Sequence, residues 1–137
     1  MTDYKTGGVK GYADDALRGG TRVQIPLYML AAERLLGRLH PGARAHSGRY
    51  LSVDRAGGHK EYTFSAEALA ERLEDLRRAV STFLHGVERG VFFAWPEEQS
   101  CRFCRFQLAC GEGREARFER KKGDATAADF LRVKEMP

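Results

Sequence analysis

The sequence has no apolar run that approaches the roughly 20 residues of a membrane-spanning helix. A basic and apolar leader before Asp3 is also missing. Neither a G-x-x-x-x-G-K-S/T loop nor a G-x-G-x-x-G turn occurs, which excludes these two kinds of nucleotide-binding loop. These absences predict a soluble, cytoplasmic protein with no membrane partner, and any ATP hydrolysis would belong to another domain or subunit.

Cysteine is scarce, and its three copies, Cys101, Cys104 and Cys110, lie within ten residues of one another. An odd number in so tight a cluster does not suit a disulfide framework and is typical of metal or cluster ligation. A structural zinc site and a [4Fe–4S] cluster each require four ligands, and the nearest histidine is the distant His85. Zinc, an iron–sulfur cluster and three unligated thiols therefore remain open.

The composition is that of an ordinary globular chain, with 42% hydrophobic and 31% charged residues. At 137 residues the chain is long enough for one domain with a single core. The formal charge of +4 and a pI near 9.1 suit a polyanionic partner such as nucleic acid, although the excess is modest.

Hydrophobic periodicity and turn residues predict an α/β fold, in which a small mixed β-sheet is flanked by helices. A strand should end at Lys5, with a loop over residues 8–20. A helix over 22–39 should have Thr21 as its N-cap. A second helix over 66–89 should be capped by Ser65 at its start and closed by Gly90 at its end. The remaining predicted elements are strands at 43–54 and 60–64 around a turn at 55–59, an extended segment at 91–96, a solvated charged segment at 112–122 and a short helix at 124–133.

Asp3 and Lys5 are the first candidate site residues. Side chains alternate along a strand, so these two should share one face while Tyr4 points into another layer. A carboxylate can hold a divalent metal, and a neighbouring ammonium can stabilise charge on an attacked phosphate. The plainer alternative is a surface ion pair at a frayed end.

Gln24 and Tyr28 are four residues apart, so they should share one face of the first helix. From there an amide and a phenol could contact phosphate, whereas the alternative is a polar pair facing solvent. Arg18 and Arg22, which flank the helix start, are candidate contacts to DNA phosphates.

Aromatic residues surround the cysteines. They could stack on bases in a single-strand channel, but hydrophobic packing around a ligand site is the more common use and is the preferred interpretation. These residues are Phe92, Phe93, Trp95, Phe103 and Phe106.

Three motifs in this order resemble those of the PD-(D/E)XK nuclease superfamily, specifically its RecB-like branch, which includes AddAB-type helicase–nucleases. The motifs are Asp3-Tyr4-Lys5-Thr6-Gly7, Gln24-x-x-x-Tyr28 and Cys101-x-x-Cys104-x-x-x-x-x-Cys110, and together they span residues 2–110. The resemblance implies a restriction-endonuclease-like core. Asp3 would bind Mg²⁺ or Mn²⁺, Lys5 would assist the attacking water, and the helix of Gln24 and Tyr28 would line a DNA channel. The cysteines would belong to an AddB-type [4Fe–4S] cluster whose first ligand lies far upstream.

The same resemblance implies that the chain is the C-terminal part of one nuclease domain. Residues 1–90 would belong to the core and residues 91–137 would form a cysteine-containing tail. The expected function is a metal-dependent DNA exonuclease domain of a DNA-repair or recombination helicase–nuclease. Its partners would be DNA, a helicase domain or subunit and, through exposed sheet edges, a second copy. Asp3 alone is a poor magnesium site, so little activity is expected from this chain by itself. The alternative is a non-catalytic DNA-binding or scaffolding module stapled by a metal or cluster.

Overall fold

A three-stranded mixed sheet organises the protein in the computed structural model, which describes residues 1–6, 14–53 and 59–137. The strands are β1 (Thr2–Lys5), β2 (Ser47–Ser52) and β3 (Glu61–Ser65). β1 pairs with β2 in parallel and β2 pairs with β3 antiparallel. The helices are α1 (Gln24–Leu36), α2 (Ala66–Arg89), α3 (Glu98–Arg102), α4 (Gln107–Cys110), α5 (Arg114–Lys121) and α6 (Ala128–Lys134), with a 3₁₀ turn at Ala125–Ala127. The predicted α/β class is confirmed.

One face of the sheet carries the core. Along β2 every second residue is buried, and Gly48, Tyr50 and Ser52 point towards the helices. The core cluster consists of Leu17, Ile25, Met29, Tyr50, Phe64, Ala68, Leu69 and Leu76. Tyr4 points away from this cluster and is 65% exposed, so its predicted burial in another layer is wrong for the described residues.

Helix α1 is shorter than the predicted 22–39, and Thr21 is not its N-cap. The helix begins at Gln24, and Val23 occupies the N-cap position without a side-chain hydrogen bond. Thr21 Oγ1 instead donates to the carbonyl oxygen of Arg18, because residues 18–21 form a tight turn before the helix. The helix ends at Leu36, so residues 37–39 lie outside it.

The buried face of α1 is set by the sheet beneath it. Gly48 lies so close to the helix that a Cβ there would come within 2.5 Å of Ile25 Cγ2. This approach points the side of α1 with Ile25 into the core, and the buried residues are Ile25, Pro26 and Met29. Of the other apolar residues, Val23 and Leu30 pack at the core margin, but Leu27, Leu35 and Leu39 are exposed.

The hairpin and α2 follow the sequence closely. The first strand is shorter than predicted, at 47–52, and the second keeps its predicted length but lies one residue later, at 61–65. The predicted turn falls largely on residues 54–58, outside the described residues. Ser65 Oγ accepts from the Ala68 amide at 3.1 Å, and Gly90 ends α2 with φ of 64°, so both predicted caps are confirmed.

The second half of α2 extends beyond the sheet. The whole helix has 24 residues and spans about 36 Å, whereas strands of five or six residues span about 17–20 Å. The apolar side of α2 is therefore buried as far as Leu76 and Ala79, but Phe83, Leu84 and Val87 are exposed.

The C-terminal segment returns to α2. Ala79, Val133 and Met136 form a second buried cluster, and the Arg18 amide donates to the Pro137 carbonyl at 2.9 Å. The predicted helix at 124–133 consists of the 3₁₀ turn followed by α6, which extends to Lys134. Helix α5 buries none of its residues, as its charged sequence predicts. No helix among the described residues is long and apolar enough to cross a membrane.

Replacing Gly48 with Ala should destabilise the fold by about 1–3 kcal/mol, because the new methyl group would overlap Ile25. Urea unfolding followed by circular dichroism measures the change. Gly123→Ala is the matched control, since nothing lies within 4 Å of a Cβ at that position, and its effect should stay within about 0.5 kcal/mol. Equal stability of the two variants would contradict the close packing of α1 on β2.

Candidate active site

Four polar side chains from β1 and α1 form a continuous line of contacts. Lys5 Nζ lies 2.8 Å from Asp3 Oδ2 and donates a hydrogen bond to Gln24 Oε1 at 3.1 Å. Gln24 Nε2 in turn donates to the hydroxyl oxygen of Tyr28 at 3.1 Å. The fold thus brings together two residue pairs that are separated by about 20 positions in the sequence, and we refer to these four residues as the contact line.

The strand end of the contact line is placed by the β1–β2 pairing. Asp3 and Lys5 leave β1 on the same face and lie opposite Tyr50 and Ser52, both buried. Lys5 Nζ lies 5.1 Å from the centre of the Tyr50 ring, within range of a cation–π contact. The core face of the sheet therefore ends at β1 in a carboxylate and an ammonium.

The helix end of the contact line is placed by the packing of α1. Gln24 is the first residue of α1, and Tyr28 follows one turn later on the same side. Ile25, adjacent to Gln24, is fully buried against β2 and so fixes the rotation of the helix. Gln24 consequently faces Lys5, while Tyr28 is 45% exposed at the outer end of the line.

Partial burial strengthens the attraction between the two charges at the strand end of the contact line. The side chains of Asp3 and Lys5 are 20% and 28% exposed, so water screens their attraction less than at an open surface. Asp3 Oδ2 is buried, and Lys5 Nζ meets it at 2.8 Å. A carboxylate has about four lone-pair sites, so this contact leaves others for Mg²⁺ or Mn²⁺, which prefer oxygen ligands.

The contact line contains one carboxylate that could ligate a metal ion, that of Asp3. Mg²⁺ is usually held by one or two carboxylates, with water and substrate phosphate completing an octahedral set. Asp3 is the carboxylate of the contact line, and residues 1–6, 14–53 and 59–137 contain no group of three His, Cys, Asp or Glu side chains arranged to hold a metal. The residues fit a divalent ion that Asp3 shares with the phosphate of a bound substrate.

The comparison with protein families agrees with this geometry. A family model of the PD-(D/E)XK nuclease superfamily matches residues 1–111. The chain belongs to the PD-(D/E)XK nuclease superfamily. No curated protein and no solved structure shows a significant match. Membership assigns the chain to nuclease-like phosphodiester hydrolases, which bind nucleic acid, and it confirms the superfamily that the motifs predicted.

In this superfamily member Arg18 and Arg22, the two arginines predicted to contact DNA, both form ion pairs with Asp14. Arg18 and Arg22 both donate to the carboxylate of Asp14, Arg22 Nη1 at 2.8 Å. The hydrogen bond from Arg18 is the main cause of a lowered Asp14 carboxyl pKa. Asp14 thus gathers the two cations just before α1, and their contact with DNA stays a prediction.

The three cysteines lie in a compact helical segment beyond α2. Cys101 is in α3, Cys110 ends α4, and Cys104 lies between them, with its amide donating to the Cys101 carbonyl at 3.2 Å. All three thiols are free and partly buried, and in the described structure they do not form a metal-holding group. Their ligation of a cluster stays a prediction.

Tyr62 and Asp15 form a link that sequence reasoning missed. The Tyr62 hydroxyl donates to Asp15 Oδ1 at 2.9 Å and so ties the segment before α1 to β3. Burial, then the hydrogen bond and charge of Asp15, raise the pKa of the Tyr62 phenol well above its usual range. Asp15 lies in a glycine-rich loop with no periodicity, so nothing in the sequence marks this partner.

Ionisation of Tyr62 should destabilise the protein at high pH. The folded-state pKa lies above the unfolded value of about 10, so the stabilisation is complete below that pH and is lost as the pH rises through the folded-state pKa. The free energy of unfolding, measured in urea between pH 9 and 11, should fall more steeply for the wild type than for Tyr62→Phe. Identical slopes in the two proteins would show that the phenol is not held in its neutral form.

Proposed function

We propose that this chain provides the phosphodiester-hydrolysing site of a RecB-like, AddB-type DNA exonuclease that acts within a DNA-repair or recombination helicase–nuclease. The observation that carries the proposal is the contact line from Asp3 through Lys5 and Gln24 to Tyr28. It places a carboxylate, an ammonium, an amide and a phenol along one partly open edge of the core, and the family match covers all four residues.

Asp3 and Lys5 have separate tasks at the phosphate. Asp3 would hold Mg²⁺ or Mn²⁺ through its carboxylate, and such an ion would supply Lewis-acid polarisation of the phosphate and an activated water. Lys5 is held between Asp3 and Gln24, so its ammonium is fixed before substrate arrives and stabilises charge that develops on the phosphate oxygens. Fixing the charge beforehand avoids reorganisation during the reaction.

Gln24 and Tyr28 orient the substrate. Gln24 accepts from Lys5 through Oε1 and donates through Nε2, which defines the orientation of its amide. Because the Tyr28 oxygen accepts from Gln24, the Tyr28 hydroxyl hydrogen points elsewhere and is available to a phosphate oxygen at the exposed end of the line. The helix therefore presents a DNA-facing donor whose position depends on Lys5.

The cysteine motif is proposed to ligate a [4Fe–4S] cluster. The family match extends to residue 111 and so includes Cys101, Cys104 and Cys110. A cluster needs four thiolates, and the chain has three cysteines, so the fourth ligand would come from a segment or chain beyond this sequence. Ligation would have to draw the three thiols together from their present positions.

The position of β1 at the edge of the sheet supports the proposed protein partners. In the described sheet, whose order is β1-β2-β3, strand β1 lies at one edge. An edge strand can accept a further strand from another segment, from a helicase subunit or from a second copy in a dimer. A strand added at β1 would lie directly beside Asp3 and could bring a second carboxylate to the metal.

Mn²⁺ binding should depend on both DNA and Asp3. Because substrate phosphate completes the ligand set, linear DNA should raise the Mn²⁺ affinity, and Asp3→Asn should lower it at least about tenfold. The free-ion EPR signal measures binding. Asp129→Asn, which changes an exposed acid of α6 paired with Arg132, is the matched control and should bind like the wild type.

Cleavage of end-labelled linear DNA tests the lysine. Because Asp3 alone is a poor magnesium site, the wild type should cleave slowly. Lys5→Met should retain Mn²⁺ binding and lower this slow rate about 10²–10³-fold further, the loss expected when one preorganised donor is removed. DNA-dependent Mn²⁺ binding by Asp3→Asn equal to that of the wild type would refute the assigned metal ligand. DNA binding without any cleavage would instead favour the non-catalytic DNA-binding or scaffolding module, for which the single carboxylate is the supporting observation.

Protein purified without oxygen should contain iron and acid-labile sulfide. Cys101→Ser, Cys104→Ser and Cys110→Ser should each lower both contents, whereas Ser100→Ala, at the neighbouring position, should leave them unchanged. Elemental analysis and visible absorption provide the measurement. Zinc without sulfide would replace the cluster with a zinc site, and the absence of both would leave three free thiols.

A further inference from the structure

A cleft of about 220 Å³ lies between the extended segment after α2 and helix α5, away from the contact line. Its walls combine aromatic rings with three cationic side chains, and no carboxylate lines it. The lining residues that carry the argument are Phe92, Phe93, Phe118, Arg114, Arg117 and Lys121.

The positive and negative side chains of helix α5 lie on different sides of the helix. Arg114, Arg117 and Lys121 follow one another at intervals of three and four residues, so they lie on the side that lines the cleft. Glu115 and Glu119 also lie four apart, and they occupy a different side of the same helix. A helix with a mixed-sign sequence therefore presents a positive surface to the cleft.

These cations retain donors for an anion. Arg114 Nε lies 3.0 Å from Glu115 Oε1, and Arg117 Nη1 donates to the Glu112 carbonyl at 2.6 Å. A guanidinium has five N–H donors, so a single contact leaves others that can reach a phosphate. Lys121 contributes to a lowered pKa of the Asp124 carboxyl, although hydrogen bonds from Thr126 are the main cause.

The aromatic wall has a fixed part and an open part. Phe93 stacks on Phe130 at 5.6 Å, and Trp95 meets Phe118 edge-on at 5.3 Å, so these rings hold one another in place. Phe92 is 76% exposed. An exposed ring beside fixed aromatic residues offers a surface on which a planar group can stack.

Phe92 also faces a second cleft, whose lining is mainly apolar but includes Arg89 and Asp129. This cleft of about 350 Å³ lies between the overhanging half of α2 and α6, and Phe83, Val87 and Phe130 contribute to its lining. Phe92 and Phe93 line both clefts and thus lie between a mainly apolar space and a cationic one. A ligand that combines flat apolar groups with regularly spaced negative charges matches this pair of surfaces.

We propose that the two clefts form a binding site for single-stranded nucleic acid, with bases stacked at Phe92 and phosphates held by Arg114, Arg117 and Lys121. Stacking requires unpaired bases, because duplex bases do not expose their faces, so the charge pattern with the open ring selects a single strand over a duplex. The proposal rests on the proposed function in taking nucleic acid as the ligand, and it uses the present position of Cys110, which also lines the cationic cleft. It is independent of catalysis at Asp3.

Fluorescence anisotropy with a labelled dT20 oligonucleotide in EDTA tests the site, because no divalent ion can then recruit DNA to the contact line. Phe92→Ala should weaken binding roughly 5- to 100-fold, the usual effect of losing one stacking residue. Phe103→Ala is the control, since Phe103 is 81% exposed but lines neither cleft, and its affinity should equal that of the wild type.

Two adjacent lysines provide a matched pair for the phosphate contacts. Lys121→Gln should reduce the slope of log affinity against log salt by about 0.7, the value for one phosphate contact to a single strand. Lys122→Gln removes the same charge from outside the cleft, where Lys122 pairs with Glu119, and should leave the slope unchanged. Arg117→Gln and Arg120→Gln repeat the comparison with arginines.

Several results would overturn the proposal. They are an absence of dT20 binding by the wild type in EDTA, equal losses in Lys121→Gln and Lys122→Gln, and equal binding of duplex and single strand with no effect of Phe92→Ala. The assay contains EDTA and measures binding rather than cleavage, so a failure of catalysis at the contact line would not affect this test. Loss of dT20 binding in Lys5→Met with no loss in Phe92→Ala would place the strand at the contact line and refute the cleft.

Discussion

The close approach of α1 to β2 at Gly48 is the constraint on which the candidate active site depends. Without a side chain at this position, Ile25 and Met29 settle directly against the sheet. The rotation of α1 is then no longer free, and Gln24 is directed to Lys5 while Tyr28 remains at the open end. A packing contact between two apolar residues and a glycine thus places a polar line that makes no contact with the glycine itself.

Partial burial gives this line its chemical character. At an open surface the attraction between Asp3 and Lys5 would be largely screened, and two long side chains would lose entropy to hold one geometry. Here Tyr50 supports the lysine from the neighbouring strand, and the helix closes the other side with an amide. Lys5 Nζ is held between the charged oxygen Asp3 Oδ2 and the neutral oxygen Gln24 Oε1. These two contacts fix the position of the ammonium group, and only one of them is to a negative charge. An arrangement of this kind suits a site that waits for the negative charge of a phosphate.

The region beyond α2 uses charge in another way. Its small helices bury few residues, and its position depends on the packing of α6 against Ala79 and on the ring contacts of Trp95. Lys134 lies 5.7 Å from the centre of the Trp95 ring and adds a cation to this cluster. Because the cluster anchors the segment, the neighbouring helix α5 can expose both of its charged faces. The preferred interpretation of the aromatic residues as packing groups holds for Phe93 and Trp95, whereas Phe92, Phe103 and Phe106 are exposed.

The sequence by itself determined the features that depend on local patterns. The hairpin, the caps of α2 at Ser65 and Gly90 and the shared face of Asp3 and Lys5 follow from turn chemistry and side-chain alternation. The ordered motifs also identified the superfamily. Tertiary structure alone decided which side of α1 is buried, how far α2 extends beyond the sheet and that Tyr62 meets Asp15. The physical reason is that periodicity describes one element at a time. Burial and polar pairing depend on the distance between elements, which is set here by a glycine in β2 and by the short length of the strands.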